Sequence, residues 1–351
     1  MPNAVVDLFC GVGGLTHGLQ LAGLNVVAGV DIESSCKYAY EANNNAVFIN
    51  EDITKLKKES IAKYFPGNSV KILVGCAPCQ PFSRYSSRYR KNGHCDEKWR
   101  LLFYFQKIVK EILPDIISME NVPNLCREKI FIDFLHELEK LKYHCYWRIV
   151  NCQEYGVPQK RKRLVMLASR YGQIELVPPM YDSEHYRTVR MAIAELPQIN
   201  DGEKLSSDVL HCASKLSELN KKRIQQSVPG GTWRDWDEYL LLNCHKKNTG
   251  KTFPSVYGRM KWDEPSPTIT TQFYGYGNGR FGHPEQDRAL SLREGALLQS
   301  FPLEYKFVEN GCHIINKHKL AIQIGNAVPV ELGRAIGISI INHLNEYNIK
   351  L

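Results

Sequence analysis

Residues 7–19 read DLFCGVGGLTHGL, a short apolar run followed by glycines at 11, 13 and 14 and then a stretch of helical period. Glycine at such a strand-to-helix turn lets the backbone reverse tightly and leaves the helix N-terminus open to a ligand. A dinucleotide turn needs its third glycine at position 16, where this chain has Thr16, so a nicotinamide or flavin is disfavoured. An adenosine cofactor without a pyrophosphate fits better, because it needs an acid for its ribose more than a turn for its phosphates. Asp31 ends the next strand-like run about 20 residues on and suits the ribose hydroxyls. Asp52, in NEDIT, follows another short apolar run and suits an adenine amine. The alternative is a plain strand–helix turn with two solvated aspartates.

Outward from that turn, strand-like and helix-like segments alternate through residues 4–170. Short β-branched runs stand at 4–9, 25–30, 70–75, 115–119, 144–150 and 163–169, as strands buried on both faces require. Between them lie amphipathic stretches such as 97–112, where Leu102, Phe103, Phe105, Ile108, Val109 and Ile112 fall near helical period. Repeated βα units predict an α/β fold with a mostly parallel, doubly wound sheet. From about 180 to 300 periodicity weakens and turn-rich strings such as VPGGTW (228–233) and FYGYGNGRFGHP (273–284) dominate. A second, irregular domain is expected there, and helical period returns from Val330 to Leu344.

The 351 residues are 43% apolar and 23% charged, which excludes a disordered or fibrous chain. No apolar run has the length of a membrane span, and eleven cysteines without framework spacing point to a reducing cytoplasm. A net charge of +8 permits a nucleic-acid partner without requiring one.

The chemistry concentrates in VKILVGCAPCQPFS (70–83), where a buried strand ends in a turn carrying Cys79. A thiol so placed can attack an electron-poor ring carbon. It can equally be a structural cysteine, or form half of a zinc knuckle with Cys76, although no second CxxC completes the ligand set. Glu120, in MENVP (119–123), ends another buried strand, where a desolvated carboxyl is suited to sharing a proton; it can also serve as a helix N-terminal carboxylate. QKRKR (159–163) leads into a strand whose alternation would turn Arg161 and Arg163 to one face, able to bind a carbonyl oxygen or orient a carboxylate. The basic, aromatic segment 84–100 reads as a loop able to lie along a phosphate backbone.

Cys79 in APCQPFS, Glu120 in ENVP, Arg161 and Arg163 in QKRKR, and IGNAVP (324–329) follow DLFCGVGG in a fixed order. With REGALLQSFP (293–302), that order resembles the DNA (cytosine-5)-methyltransferases over the whole chain apart from about 185–265. The resemblance implies a class I methyltransferase sheet (1–185 with 318–351), a target-recognition domain (186–302) and a hinge (303–317). It implies S-adenosyl-L-methionine as cofactor, double-stranded DNA as substrate, and no metal. Phe9, Gly11 and Gly14 would line the methionine end, Asp31 the ribose, and Asp52 and Ile53 the adenine, with Val12 and Ile32 also binding the cofactor. Pro78, Leu102, Asn326, Ala327 and Val328 would complete the pocket. Cys79 becomes the nucleophile toward cytosine carbon 6, Glu120 the partner of ring nitrogen 3, and Arg163, supported by Arg161, the ligand of the exocyclic oxygen. Cys76 and Ala77 replace the family's small residues before the proline, which makes Cys76 a packing residue. The family's arginine at the loop-to-helix junction falls among Lys98, Trp99 and Arg100, and the sequence does not choose between them.

Gln80, Ser83, Arg84 and Arg88, in and before the basic loop, are expected to meet DNA. On the glycine-rich turns Thr232, Trp233, Arg234, Arg259, Asn278 and Arg280 suit base edges or the gap left by a flipped base, with Gly230-Gly231-Thr232 entering the duplex. Each can equally pack the small domain. A monomer working beside a cognate restriction endonuclease is the expected setting. A tRNA cytosine methyltransferase and a non-catalytic DNA-binding homologue are the rivals. The length of the variable region favours DNA, and the complete catalytic set opposes the non-catalytic reading.

Overall fold

The computed structural model describes residues 2–78, 96–309 and 311–349, with backbone alone over 96–100 and at 251. Seven strands form one sheet: β1 (Asn3–Leu8), β2 (Val26–Asp31), β3 (Val47–Asn50), β4 (Val70–Gly75), β5 (Ile116–Asn121), β6 (His144–Asn151) and β7 (Lys162–Ser169). Their order is β3-β2-β1-β4-β5-β7-β6. β3 through β5 are parallel, and β7 runs antiparallel to both β5 and β6. Parallel pairing needs long crossovers. Four of them carry α1 (Gly14–Leu21), α2 (Lys37–Asn43), α3 (Lys58–Ala62) and α4 (Asp96–Ile112). α5 (Lys129–Lys140) carries the chain past a vacant position to β6, and β7 then returns to fill the gap.

β1 and β5 are buried along their whole length. Val6, Leu8, Leu73, Phe105, Ile117, Met119, Phe134 and Met166 belong to one core cluster. α4 buries Leu102, Phe105, Ile108, Val109 and Ile112, as its period predicts. Phe103 departs from that expectation and is 58% exposed. At about 100° per residue it lies opposite the face those five residues define. The C-terminal helix, Val330–Glu346, crosses α1 through glycines. A Cβ on Gly18 would lie 2.2 Å from the Val330 carbonyl oxygen, so the crossing requires glycine there. By length and composition the stretch Lys317–Glu346 could cross a membrane, but most of it is buried within the protein.

The chain divides into two compact units. The first comprises Met1–Tyr155, Lys162–Met180 and Val328–Leu351; the second comprises Gly156–Arg161 and Tyr181–Ala327. Strand pairing in the second unit is confined, among the described residues, to isolated bridges such as Pro229 with Arg259 and Arg259 with Gly282. Its helices are short, Glu218–Gln226, Leu292–Leu298 and Lys317–Asn326 among them. Trp233, Trp236, Leu240, Tyr276, Leu216 and Ile224 form a buried cluster there.

Candidate active site

Parallel α/β sheets bind ligands beyond the carboxyl ends of their strands, where the strand order reverses. Here the order reverses between β1 and β4. After β1 the backbone enters the left-handed region at Phe9, Gly11 and Gly13, with φ of 62°, 51° and 90°. For Phe9 that conformation costs about 1–2 kcal/mol. No atom lies within 4 Å of where a Cβ on Gly11 would sit, so conformation rather than crowding asks for glycine there and the space above it is open. The Gly11 N–H donates to Asp31 Oδ2 at 2.8 Å, and the Glu33 N–H donates to Oδ1 at 2.9 Å. Burial raises the Asp31 carboxyl above its usual range, opposed by those N–H donors. The end of β2 is thereby fixed against the glycine turn.

Ile32, next in sequence, is 69% exposed. Asp52 is half-buried and accepts the Thr54 N–H at 2.9 Å, which holds its carboxyl below the ordinary value. Val12 and Gly14 are buried, Pro78 is exposed, and Ile53 and Leu102 lie in the core cluster. Asp7 escaped the sequence reading. It is buried beneath the turn, takes a 2.7 Å hydrogen bond from the Thr16 hydroxyl, and is raised by burial to about 7. Its signal was an acid inside an otherwise apolar run.

The ends of β4 and β5 meet the start of β7. Glu120 is buried; Arg163 Nε stands 2.7 Å from its Oε1, and Cys76 Sγ donates to its Oε2 at 2.8 Å. Asn121 Nδ2 donates to the Ala77 carbonyl at 3.1 Å, and the Cys76 N–H donates to Leu8 O. The short stretch leading toward Cys79 is therefore laced to β1 and β5. Cys76 corrects the sequence reading, since it bonds the buried carboxylate and is only half-buried itself. Cys79, Gln80, Ser83, Arg84 and Arg88 lie outside the described residues, as do the side chains of Lys98, Trp99 and Arg100.

Arg161 does not share the environment of Arg163. β7 begins only at Lys162, so strand alternation does not extend back to Arg161. In the second unit its guanidinium donates to Ile269 O at 3.0 Å, Gly325 O at 3.2 Å and Gln159 Oε1 at 3.3 Å. Gln159 also donates to Gln299 Oε1 at 2.9 Å, and Gln299 donates to Ile324 O at 2.7 Å. Sequence reasoning missed both glutamines, whose role follows only from the backbone carbonyls around them. The same hub anchors the end of the Lys317–Asn326 helix; Asn326 is exposed, Ala327 half-buried and Val328 buried.

Two residues expected on DNA are structural instead. Arg259 is buried and donates to the carbonyls of Ile224, Ser227, His283 and Gln286 and to the Asp287 carboxylate. Its donors are committed, which leaves no guanidinium edge for a base. Trp233 is buried, stacks on His245 at 4.2 Å and donates its indole N–H to Phe253 O. Thr232 is half-exposed and caps a short turn in a reciprocal bond with Asp235. Arg234, Asn278 and Arg280 are exposed, with Arg234 lying over the Trp233 ring.

The strand order, with β7 antiparallel and a glycine turn after β1, is that of the class I methyltransferase fold. A family model described as C-5 cytosine-specific DNA methylase matches residues 3–342. The type II methylase M.HgiDII of Herpetosiphon aurantiacus is 52% identical over 97% of this chain and 95% of its own length. The type II methyltransferase M.Eco47II of Escherichia coli is 33% identical over 98% of this chain and 80% of its own. Among solved structures, a DNA modification methyltransferase encoded within an E. coli prophage superposes with a TM-score of 0.73 at 22% identity, covering 98% of this chain and 99% of that one. DNMT2 of Spodoptera frugiperda gives 0.65 at 18% identity, covering 97% and 99%. These two structures bear on the fold alone. The chain belongs to the C-5 cytosine-specific DNA methylase family and is a DNA (cytosine-5)-methyltransferase.

Proposed function

We propose that this enzyme methylates carbon 5 of cytosine within a specific sequence of double-stranded DNA, by base flipping and transient covalent attack of Cys79 on carbon 6. The observation that carries the reading is the buried Glu120–Arg163 pair at the strand edge, beside the β4 end that leads to Cys79. Carbon 5 of cytosine is a poor nucleophile. Addition of the Cys79 thiolate to carbon 6 breaks aromaticity and places electron density on carbon 5. Glu120 bonds or protonates ring nitrogen 3, and Arg163 meets the exocyclic oxygen where charge develops. Once carbon 5 is methylated, its proton passes to a base and Cys79 departs with its bonding pair, restoring the ring. None of these residues can reach a stacked base, so the cytosine must leave the duplex.

The open space over Gly11, the fixed Asp31 carboxylate and the exposed Ile32 face fit an adenosyl group. S-adenosylmethionine supplies the electrophilic methyl group when bound there. Phe9, Gly11 and Gly14 would hold its methionine end, Asp31 its ribose, and Asp52 and Ile53 its adenine, with Val12 and Ile32 also against the cofactor. Target choice falls to the second unit through exposed residues such as Arg234 and Arg280. Pairing with a cognate restriction endonuclease fits the type II relatives.

Methyl transfer from labelled S-adenosylmethionine to duplex DNA and to tRNA, followed by bisulfite sequencing of DNA from expressing cells, tests the substrate and the atom modified. Label in duplex DNA at carbon 5 of one sequence is expected. Cys79→Ala should lose at least about a thousandfold in turnover while retaining cofactor binding. Full activity in that variant, or label only in tRNA, overturns the reading.

A further inference from the structure

We propose that Cys76 is a positioning residue for methyl transfer, holding the Glu120 carboxyl in its working orientation through a thiol hydrogen bond. The inference rests on the roles given above to Glu120 and Arg163. Parallel pairing of β4 with β5 matches Gly75 to Met119, so the next positions, Cys76 just past the end of β4 and Glu120 still within β5, lie side by side. The thiol donates to Oε2 at 2.8 Å, while Arg163 Nε lies 2.7 Å from Oε1. With a thiol hydrogen bond on one oxygen and the Arg163 charge beside the other, the carboxylate is held against rotation about its last bond before the base arrives. Such preorganisation acts on the chemical step rather than on binding.

The backbone around the thiol is independently fixed. The Cys76 N–H donates to Leu8 O, and Asn121 Nδ2 donates to Ala77 O. A change of side chain at 76 therefore leaves the strand end tied at two points. A glycine or alanine at this position removes that donor from Oε2. A serine offers one of similar reach, with a shorter bond to its Cβ.

The experiment measures single-turnover methyl transfer from labelled S-adenosylmethionine to unmethylated bacterial genomic DNA, with enzyme in excess over sites. Parent, Cys76→Ala, Cys76→Ser and Glu120→Gln are compared, with melting temperature and with binding of cofactor and DNA measured for each. Cys76→Ala should slow the first-order rate about tenfold, the size expected for one lost hydrogen bond. Its binding constants should stay within about twofold of the parent, and Cys76→Ser should recover most of the rate. A Cys76→Ala rate equal to the parent overturns the proposal, as does a serine variant as slow as the alanine one. A loss that appears in cofactor or DNA affinity instead of rate also overturns it. If Cys76→Ala does not fold, Cys76→Ser decides alone, because a folded serine variant near the parent rate supports the proposal and a slow one refutes it. Full activity in Glu120→Gln would instead remove the catalytic reading beneath it.

Discussion

The two units solve the same problem with different bonds. In the first, the backbone is satisfied by a seven-stranded ladder and side chains are left free for packing and chemistry. In the second, where pairing is reduced to isolated bridges, buried polar side chains do the work of a sheet. Arg259 serves four carbonyls and a carboxylate, Gln159 and Gln299 bind main-chain oxygens around Gly325, and Arg288 forms a buried pair with Glu294. Arg163 in the regular unit stands beside the Glu120 carboxylate and is proposed as a reagent, while Arg259 and Arg288 in the irregular unit are scaffold.

Substitution at one arginine from each unit would break that contrast most directly. Arg163→Ala should lower kcat by about 10²–10³-fold, the scale for losing a group aimed at developing charge, and cost less stability than Arg259→Ala, since it removes one ion-pair contact to buried Glu120. Arg259→Ala should do the reverse. It strips donors from buried carbonyls and should destabilise the protein by roughly 3 kcal/mol, with near-normal activity per folded molecule in denaturant titrations and assays at low temperature. Equal effects on stability from the two would end the distinction.

The units should also respond oppositely to pH. Burial pushes the His283 imidazole down to about 4, against the pull of Glu294. Unfolded histidine titrates near about 6.5, so this stabilisation is whole above that pH and drains away as pH falls through about 4. Burial raises Asp7 to about 7 from an unfolded value near about 4. Its contribution is whole below about 4 and is lost as pH rises through about 7. Both windows lie between about pH 4 and pH 7 with opposite slopes, so melting temperature followed from pH 4 to pH 8 should climb more steeply with pH over that range in Asp7→Asn and less steeply in His283→Gln. Unchanged slopes would place the titration elsewhere.

The smallest effect belongs to the exposed rim. Arg234→Ala removes a cation lying over the Trp233 ring and should cost about 0.5 kcal/mol or less in stability. It should weaken DNA binding severalfold and reduce the salt dependence of that binding, as loss of one phosphate contact does.

How far the sequence could be read follows the same division. β1, β2, β4, β5 and the β7 run were visible because a strand buried on both faces leaves a continuous β-branched signature. Glu120 and Arg163 were singled out because each stands at an edge of such a run, one near the end of β5 and the other near the start of β7. Arg259 and Trp233 were misjudged because an arginine or tryptophan on a glycine-rich turn looks the same whether it meets a base edge or a carbonyl, and Arg161 because β7 begins one residue after it. Only the fold around it decides. Cys76 was taken as filler because adjacency across two strands is a property of register, which single-sequence periodicity does not carry.

The bond between Arg161 and Lys162 also bears on engineering of specificity. Gly156–Arg161 belongs to the second unit although 19 residues of the first, Lys162–Met180 with the strand within it, separate it in sequence from Tyr181–Ala327. A chimaera that exchanges only the long segment would pair foreign carbonyls with resident Gln159 and Arg161, the side chains that seat Ile269, Leu298 and Gly325. A transplantable recognition module therefore has two pieces, and the shorter must be cut on the N-terminal side of β7 and travel with the longer.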